Sequence, residues 1–153
     1  MWVPPEEVDP VLLHAPTRKG MGVFGGVRTD TGRLLTRTSE TFNADTFREF
    51  LDYLLSRTGR RRKMHLVLDN GRYHHAKSLE AWRKEHEDDV AFEFLPPYSP
   101  ELNPIERVWK LTRRLCVHNR YFPELDSLIH AVEGQFKPWE RPNPALRRLC
   151  AIT

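Results

Sequence analysis

Two acidic residues stand where this chain could do chemistry. Asp69 closes the apolar run Met64–Leu68 in the segment MHLVLDN, and Glu106 sits inside LPPYSPELNPIERVW, residues 95–109. A carboxylate at the end of a buried strand is placed where open α/β sheets put their chemistry. It can meet a carboxylate in the first turns of a helix if the sheet sets that strand beside that helix. Hard cations such as Mg2+ and Mn2+ take oxygen ligands. Two such ions about 4 Å apart activate the attacking oxygen and stabilise the leaving one in phosphodiester chemistry. Asp69 and Glu106 are therefore read as two members of a divalent-metal set for phosphoryl transfer. Neither HExxH nor CxxC occurs, and Cys116 and Cys150 stand far apart, so zinc is not indicated. The plainer alternatives are that Asp69 caps a turn and that Glu106 and Lys110 form an ordinary i,i+4 ion pair.

The elements that must position these acids follow from periodicity and capping. Residues 1–20 are a proline-rich connector with one short extended piece at Val11–His14. Gly20–Val27 and Arg33–Ser39 flank the turn residues TDTG and read as an antiparallel hairpin. The glycines of GMGVFGGV do not have the spacing of a phosphate-binding loop, and they point to close packing or a bulge. Asn43–Ser56 is a helix capped by Asn43, with Phe47, Phe50, Leu51, Leu54 and Leu55 on one face. Met64–Leu68 is a strand whose nearly continuous apolar residues suggest burial on both faces. His74–Glu87 is a helix, and Val90–Leu95 a strand that ends at Pro96-Pro97. Asn103 caps a helix with Pro104 at its first position, running to about Cys116. Glu124–Gln135 is a further helix, and the tail Pro138–Thr153 is expected to pack loosely. The order predicts a mixed sheet, antiparallel at one side and parallel at the other, flanked by helices.

The bulk properties exclude several classes. A chain of 153 residues with 39% hydrophobic content suits one compact domain, and 29% charged residues do not make a disordered composition. The expected division is a connector at 1–20, a core at 21–120 and a C-terminal helix and tail at 121–153. No run of eighteen apolar residues occurs, so no membrane span is expected. MWVPPEEVDP is no signal peptide, and two distant cysteines suit a reduced, cytoplasmic chain. The net charge of +3 and the pI of about 9.0 point weakly to a polyanion. Its distribution says more. Arg107, Lys110, Arg113 and Arg114 adjoin Glu106 and could contact phosphates. A second basic run, Arg57 and Arg60–Lys63, precedes the strand at the end opposite Asp69.

The segments LVLDNGRYHHAK and FLPPYSPELNPIERVWK resemble the catalytic domain of DDE-type transposases in the mariner-like insertion-sequence branch, the DDE superfamily endonucleases. The stretch 70–105 between the two acids is close to the spacing of that group. FGGVRTDTG and FNADTFREFLDYL look like the same domain, so the resemblance covers most of residues 2–120. It implies a ribonuclease-H-like mixed sheet flanked by helices. It also implies cutting of double-stranded DNA at transposon ends, and joining to a target, with Mg2+ or Mn2+. Asp69 would be the second acid and Glu106 the third. Asn70, one of His74 or His75, Tyr98, Asn103 and Trp109 would shape the pocket or support the acids.

The first acid of that family ends a central first strand upstream of the hairpin. Here Glu6, Glu7 and Asp9 stand in the proline-rich connector, and MWVPPEEVDPVLLHAP resembles the family's segment just after that strand. The expectation is that Met1 is an internal methionine of a longer frame. The chain would then lack the first acid, the central strand and the N-terminal helix-turn-helix region. Such a chain should bind metal weakly and cut poorly. It should be marginally stable, self-associate through open edges, or fill the gap with Val11–His14. Three alternatives remain: an intact nuclease using Glu7 or Asp9 as third acid, a truncated product that binds DNA or full-length subunits without cutting, and a pseudogene-like product with no function of its own.

Overall fold

The computed structural model describes residues 11–13, 20–58 and 61–151. In chain order the elements are β1 (Val11–Leu13), β2 (Gly20–Val27), β3 (Leu34–Ser39), α1 (Ala44–Thr58), β4 (Met64–Leu68), a 3-10 turn at Arg72–His75 and α2 (Ser78–Glu85). Next come β5 (Val90–Phe94), a 3-10 turn at Pro100–Leu102, α3 (Pro104–Thr112), a π-helical turn at Arg113–Val117, α4 (Leu125–Phe136), a 3-10 turn at Lys137–Glu140 and α5 (Pro144–Leu149). They fall into two compact units. One joins Met1–Glu40 to Pro104–Thr153, and the other is Thr41–Asn103. No helix among the described residues is long and apolar enough to cross a membrane.

In the first unit, β1, β2 and β3 form an antiparallel sheet in that order. The hairpin runs in register from Gly22 opposite Ser39 to Val27 opposite Leu34. The extended piece expected at Val11–His14 is β1, with Val11 opposite Gly22; His14 lies outside the described residues. The core gathers Val23 and Leu34 from the sheet, Val108 and Trp109 from α3, Phe136 from α4 and Leu146 from α5. Gly25 is required there. A Cβ at that position would lie 2.2 Å from Cη2 and 2.5 Å from Cζ2 of Trp109, so the indole ring lies directly on the strand backbone. The close packing expected of GMGVFGGV thus has Trp109 as its partner.

The tail does not pack loosely, contrary to expectation: Trp139, Leu146 and Cys150 are buried. Its backbone is satisfied by the hairpin turn, which is what lets it dock. Asn143 N–H donates to the Thr31 carbonyl at 2.9 Å, and Arg33 Nε donates to the Glu140 carbonyl at 2.7 Å. Asn143 also caps α5, its Oδ1 accepting from Leu146 N–H at 3.0 Å with Pro144 at the first helical position. Asn143→Ala is expected to lower stability by about 1 kcal/mol through loss of the cap, read as a lower urea midpoint at unchanged m-value.

Burial pushes the thiols of Cys116 and Cys150 above their ordinary value of 9.0, against smaller opposing effects of Arg120 and Arg107. Both thiols are free and buried. The native chain should therefore react slowly with iodoacetamide near neutral pH, and guanidinium should expose both groups. Because native thiols keep protons that unfolded thiols release, this contribution is whole below the ordinary thiol value. It is lost as pH rises through the raised native values. A melting temperature that did not fall across that alkaline range in the wild type, relative to Cys116→Ala with Cys150→Ala, would contradict it.

In the second unit, α1 begins with a reciprocal cap. Asn43 Oδ1 accepts from Thr46 N–H at 2.9 Å, and Thr46 Oγ1 accepts from Asn43 N–H at 3.0 Å. Its apolar face is buried as the spacing requires. β4 and β5 pair in parallel from Met64 opposite Val90 to Leu68 opposite Phe94. Trp82 Nε1 donates to Asp52 Oδ1 at 2.8 Å and ties α2 to α1.

Three expectations are corrected here. The helix at His74–Glu87 is split into the 3-10 turn and α2, because Ala76 is extended at φ −63°, ψ 137°. β4 is not buried on both faces. His65 and Val67 face outward, Val67 at 43% exposure, and His65 Nδ1 lies 3.1 Å from Glu93 Oε1 on that face. The chain is mixed α/β, yet its described strands form two sheets, one antiparallel and one parallel, rather than one mixed sheet. Periodicity marks strands, but it says nothing of which edges pair.

Candidate active site

Asp69 leaves the end of β4 into the turn that precedes Arg72–His75. Its Oδ1 accepts from Gly71 N–H at 3.0 Å, which closes a turn of side chain onto backbone. The same Oδ1 lies 3.0 Å from His74 Nδ1, and the Asp69 carbonyl lies 3.0 Å from that nitrogen as well. Both oxygens can only accept, so Nδ1 carries the hydrogen and donates to them. His74 is buried, and its ring is held by Phe47 at 4.6 Å and by Tyr73 at 4.4 Å between centroids. The Asp69 side chain is 29% exposed, and its Oδ2 accepts no hydrogen bond among the described residues. One oxygen is therefore anchored while the other remains available at the strand end.

Asn70 fixes the neighbouring strand. Its Nδ2 donates to the Leu95 carbonyl at 2.7 Å, and Leu95 N–H donates to the Leu68 carbonyl at 2.8 Å. With the amide oriented in this way, Asn70 Oδ1 faces His75 Nε2 at 3.2 Å, and that nitrogen donates. His75 stacks on Phe94 at 4.2 Å. Both histidines thus support the strand end, His74 through Asp69 and His75 through Asn70. The resemblance implied one of them.

Tyr98 is different. It sits at φ 55° between Pro97 and Ser99 with its side chain fully exposed.

In the first unit, Glu106 occupies the first turn of α3 and is half-buried. A carboxylate is favoured there by the partial positive charge of the helix start. Asn103, buried with extended backbone, directly precedes Pro104 as the local sequence requires. Trp109 is a core residue against Gly25.

The basic residues of this stretch divide. Arg107 Nη1 donates to the Leu149 carbonyl at 3.0 Å and the Ala151 carbonyl at 2.9 Å, so its guanidinium closes the end of α5. Lys110 and Arg114 are exposed, and Arg113 is half-buried in the π-helical turn. The role of Arg107 had no local signal, since its partners lie more than forty residues away in sequence.

A divalent cation suits the donor chemistry. Asp69 Oδ2 and the Glu106 carboxylate are hard oxygen donors, each near the surface at an element end. They belong to different units. Among the described residues no group of three or more His, Cys, Asp or Glu is assembled to hold a metal. Glu7 and Asp9, the third-acid candidates, lie outside the described residues, as does Glu6.

Comparison with known proteins fits these features. The chain is 38% identical over 87 residues to the uncharacterized protein y4pE/y4sA of Sinorhizobium fredii (strain NBRC 101917 / NGR234). That match covers 54% of this chain and 61% of the relative, less than two thirds of its length. In fold, the chain is similar to a chain in the cryo-EM structure of the simian T-cell lymphotropic virus intasome in complex with PP2A regulatory subunit B56 gamma. The TM-score is 0.59 at 16% identity, over 81% of this chain and 45% of that one. At that identity the likeness concerns the fold alone, and it fits a ribonuclease-H-like architecture. The family model of the DDE superfamily endonucleases matches residues 1–129. With that match spanning most of its length, the chain belongs to the DDE superfamily endonucleases.

Proposed function

We propose that this chain is a catalytic portion of a DDE transposase, acting on double-stranded DNA at transposon ends and targets with Mg2+ or Mn2+ held by Asp69 and Glu106. The observation that carries this reading is the Asp69 carboxylate, anchored through Oδ1 with Oδ2 left available. DDE superfamily endonucleases generally use divalent metal ions. When bound, the ion would activate water and stabilise the charge developing on the phosphate. The chain's own residues do the positioning. Gly71 N–H and His74 Nδ1–H keep the Asp69 carboxylate from swinging. Asn70 holds the end of β4 against Leu95 at the end of β5. Glu106 offers its carboxylate from the start of α3, and exposed Lys110 and Arg114 can meet DNA phosphates.

The family uses three acids, and these two supply part of that set. The alternative reading takes Glu7 or Asp9 as the third acid. Without a third acid the chain binds metal weakly and cuts slowly, and open strand edges favour self-association. The decisive test tracks Mn2+ binding by water-proton relaxation and plasmid nicking in parallel. Weak Mn2+ binding and slow nicking, both reduced by Asp69→Asn and by Glu106→Gln, are expected. Binding and nicking indifferent to both substitutions would overturn the reading. Loss of both in Glu7→Gln or Asp9→Asn would identify the third acid. Duplex binding with neither Mn2+ binding nor nicking would instead favour a non-catalytic DNA-binding or subunit-binding role.

A further inference from the structure

The first unit carries a second cationic feature, built by the tail rather than by the acids. A cleft of about 460 Å³ is lined by Thr29 of the hairpin turn and by Pro144, Arg147, Arg148 and Ala151 around α5. α5 lies beyond residues 1–129, which the family model matches. We propose that this cleft binds the phosphodiester backbone of DNA, a contact surface separate from the acid-bearing elements. It rests on the reading of the chain as acting on DNA.

Three observations point to a phosphate. First, Arg147 and Arg148 are exposed, and neither guanidinium has a hydrogen-bond or ion-pair partner among the described residues. A planar guanidinium matches phosphate oxygens in a fork, so two of them with the Thr29 hydroxyl on the same cleft supply a donor set for a phosphate. Second, no carboxylate lines the cleft among the described residues. The acid of the same turn, Asp30, is neutralised by Arg28 through bonds of 3.0 and 2.7 Å, and that pairing holds its carboxyl below the usual range. Third, the walls are rigid. A Cβ on Gly32, at φ 72°, would meet the Asn143 carbonyl at 2.1 Å and Arg147 N at 2.5 Å, so the hairpin turn packs backbone to backbone on the start of α5. Asn143 bonds Thr31, and Arg107 closes the far end of the helix. The cleft therefore presents its two arginines from a backbone that need not be ordered at binding.

Contacts of this kind position DNA without reading its sequence. The test measures anisotropy of a labelled duplex of about 20 base pairs in EDTA, from roughly 50 to 200 mM salt. Arg147→Ala with Arg148→Ala should weaken binding by roughly tenfold at the low-salt end and reduce the slope of log K against log salt by about 1.8, for two lost phosphate contacts. Arg147→Lys with Arg148→Lys should keep the slope, and Thr29→Glu should weaken binding from the hairpin side. If circular dichroism shows that the alanine pair disturbs α5, Thr29→Glu and the lysine pair carry the test. Wild-type affinity and slope in the alanine pair, or in Thr29→Glu, would overturn the proposal. So would displacement of the duplex by polyglutamate as effectively as by unlabelled DNA, which would assign the cleft to an acidic polypeptide. Because binding is read in EDTA, its failure sinks the cleft alone. Mn2+-dependent nicking that ignores Asp69 sinks the catalytic reading alone.

Discussion

Asp69→Asn is expected to reduce Mn2+-dependent nicking by at least about a hundredfold while leaving the fold intact. A hundredfold corresponds to about 2.7 kcal/mol of lost transition-state stabilisation. The reason lies in how the two carboxylate oxygens divide their work. Oδ1 accepts from Gly71 N–H and from His74 Nδ1–H, and an asparagine Oδ1 can accept both in the same place. Oδ2 has no partner among the described residues, and the substitution turns it into an NH2 group, which cannot ligate a cation. The turn survives and the ligand is lost. Asp69→Ala is a blunter instrument, because it leaves Gly71 N–H without its acceptor and His74 Nδ1–H with the backbone carbonyl alone, and it should cost about 1–3 kcal/mol in stability. His74→Ala is the complementary case. Asp69 keeps its charge, its metal-facing oxygen and the Gly71 N–H bond but loses one of its two anchoring donors, so Mn2+ affinity should fall partially rather than vanish. Nicking in Asp69→Asn at wild-type rate, with an unchanged melting temperature, would remove Asp69 from the chemistry and leave it a turn residue.

The largest effect on stability is expected at Trp109. Its indole is buried in the core and lies on the backbone of β2 at Gly25. Trp109→Ala should lower stability by about 3–5 kcal/mol, a fall in melting temperature on the order of 10 °C for a chain of this size. Gly25→Ala attacks the same contact from the other side. Its new methyl would overlap Cη2 and Cζ2 of the indole, and overpacking of this kind costs about 1–3 kcal/mol. The two sites should then be coupled. Trp109→Phe removes the outer ring atoms that the methyl would strike, so Gly25→Ala should be tolerated better in that background than in the wild type. Strict additivity in the double-mutant cycle would show that the two positions do not share a contact. The outcome also bears on the active-site stretch. A Trp109 that behaves as pure core would set it among residues that hold α3, and so Glu106, in place.

Much of the fold was legible because it is written locally. The hairpin, the Asn43 cap, the apolar face of α1 and the start of α3 at Asn103-Pro104 depend on residues within a few positions of one another. The position of Asp69 after β4 and of Glu106 in the first turn of α3 was legible for the same reason. What escaped was non-local. The outward face of β4 looked apolar because His65 and Val67 sit among hydrophobic neighbours, and only its pairing with β5 shows that His65 meets Glu93 there. The helix expected from His74 begins at Ser78, because both histidines turn back toward Asp69 and Asn70. The tail offers little periodicity, so nothing in it announces that Trp139, Leu146 and Cys150 join the core.

By itself, the sequence determined the kinds and order of the local elements, the two acids at a strand end and a helix start, and the superfamily to which those motifs belong. Caps, periodicity and turn residues act over three or four positions, and that is the range at which a sequence can be read directly. Only the tertiary structure decided which oxygen of Asp69 is anchored and which is available. It also engaged Arg107 in closing α5 while leaving Arg147 and Arg148 on an open cleft, and it laid Trp109 across Gly25. Each of these depends on chain segments brought together by burial and backbone hydrogen bonding, most of them across long sequence separations, and identical local sequences would permit other partners.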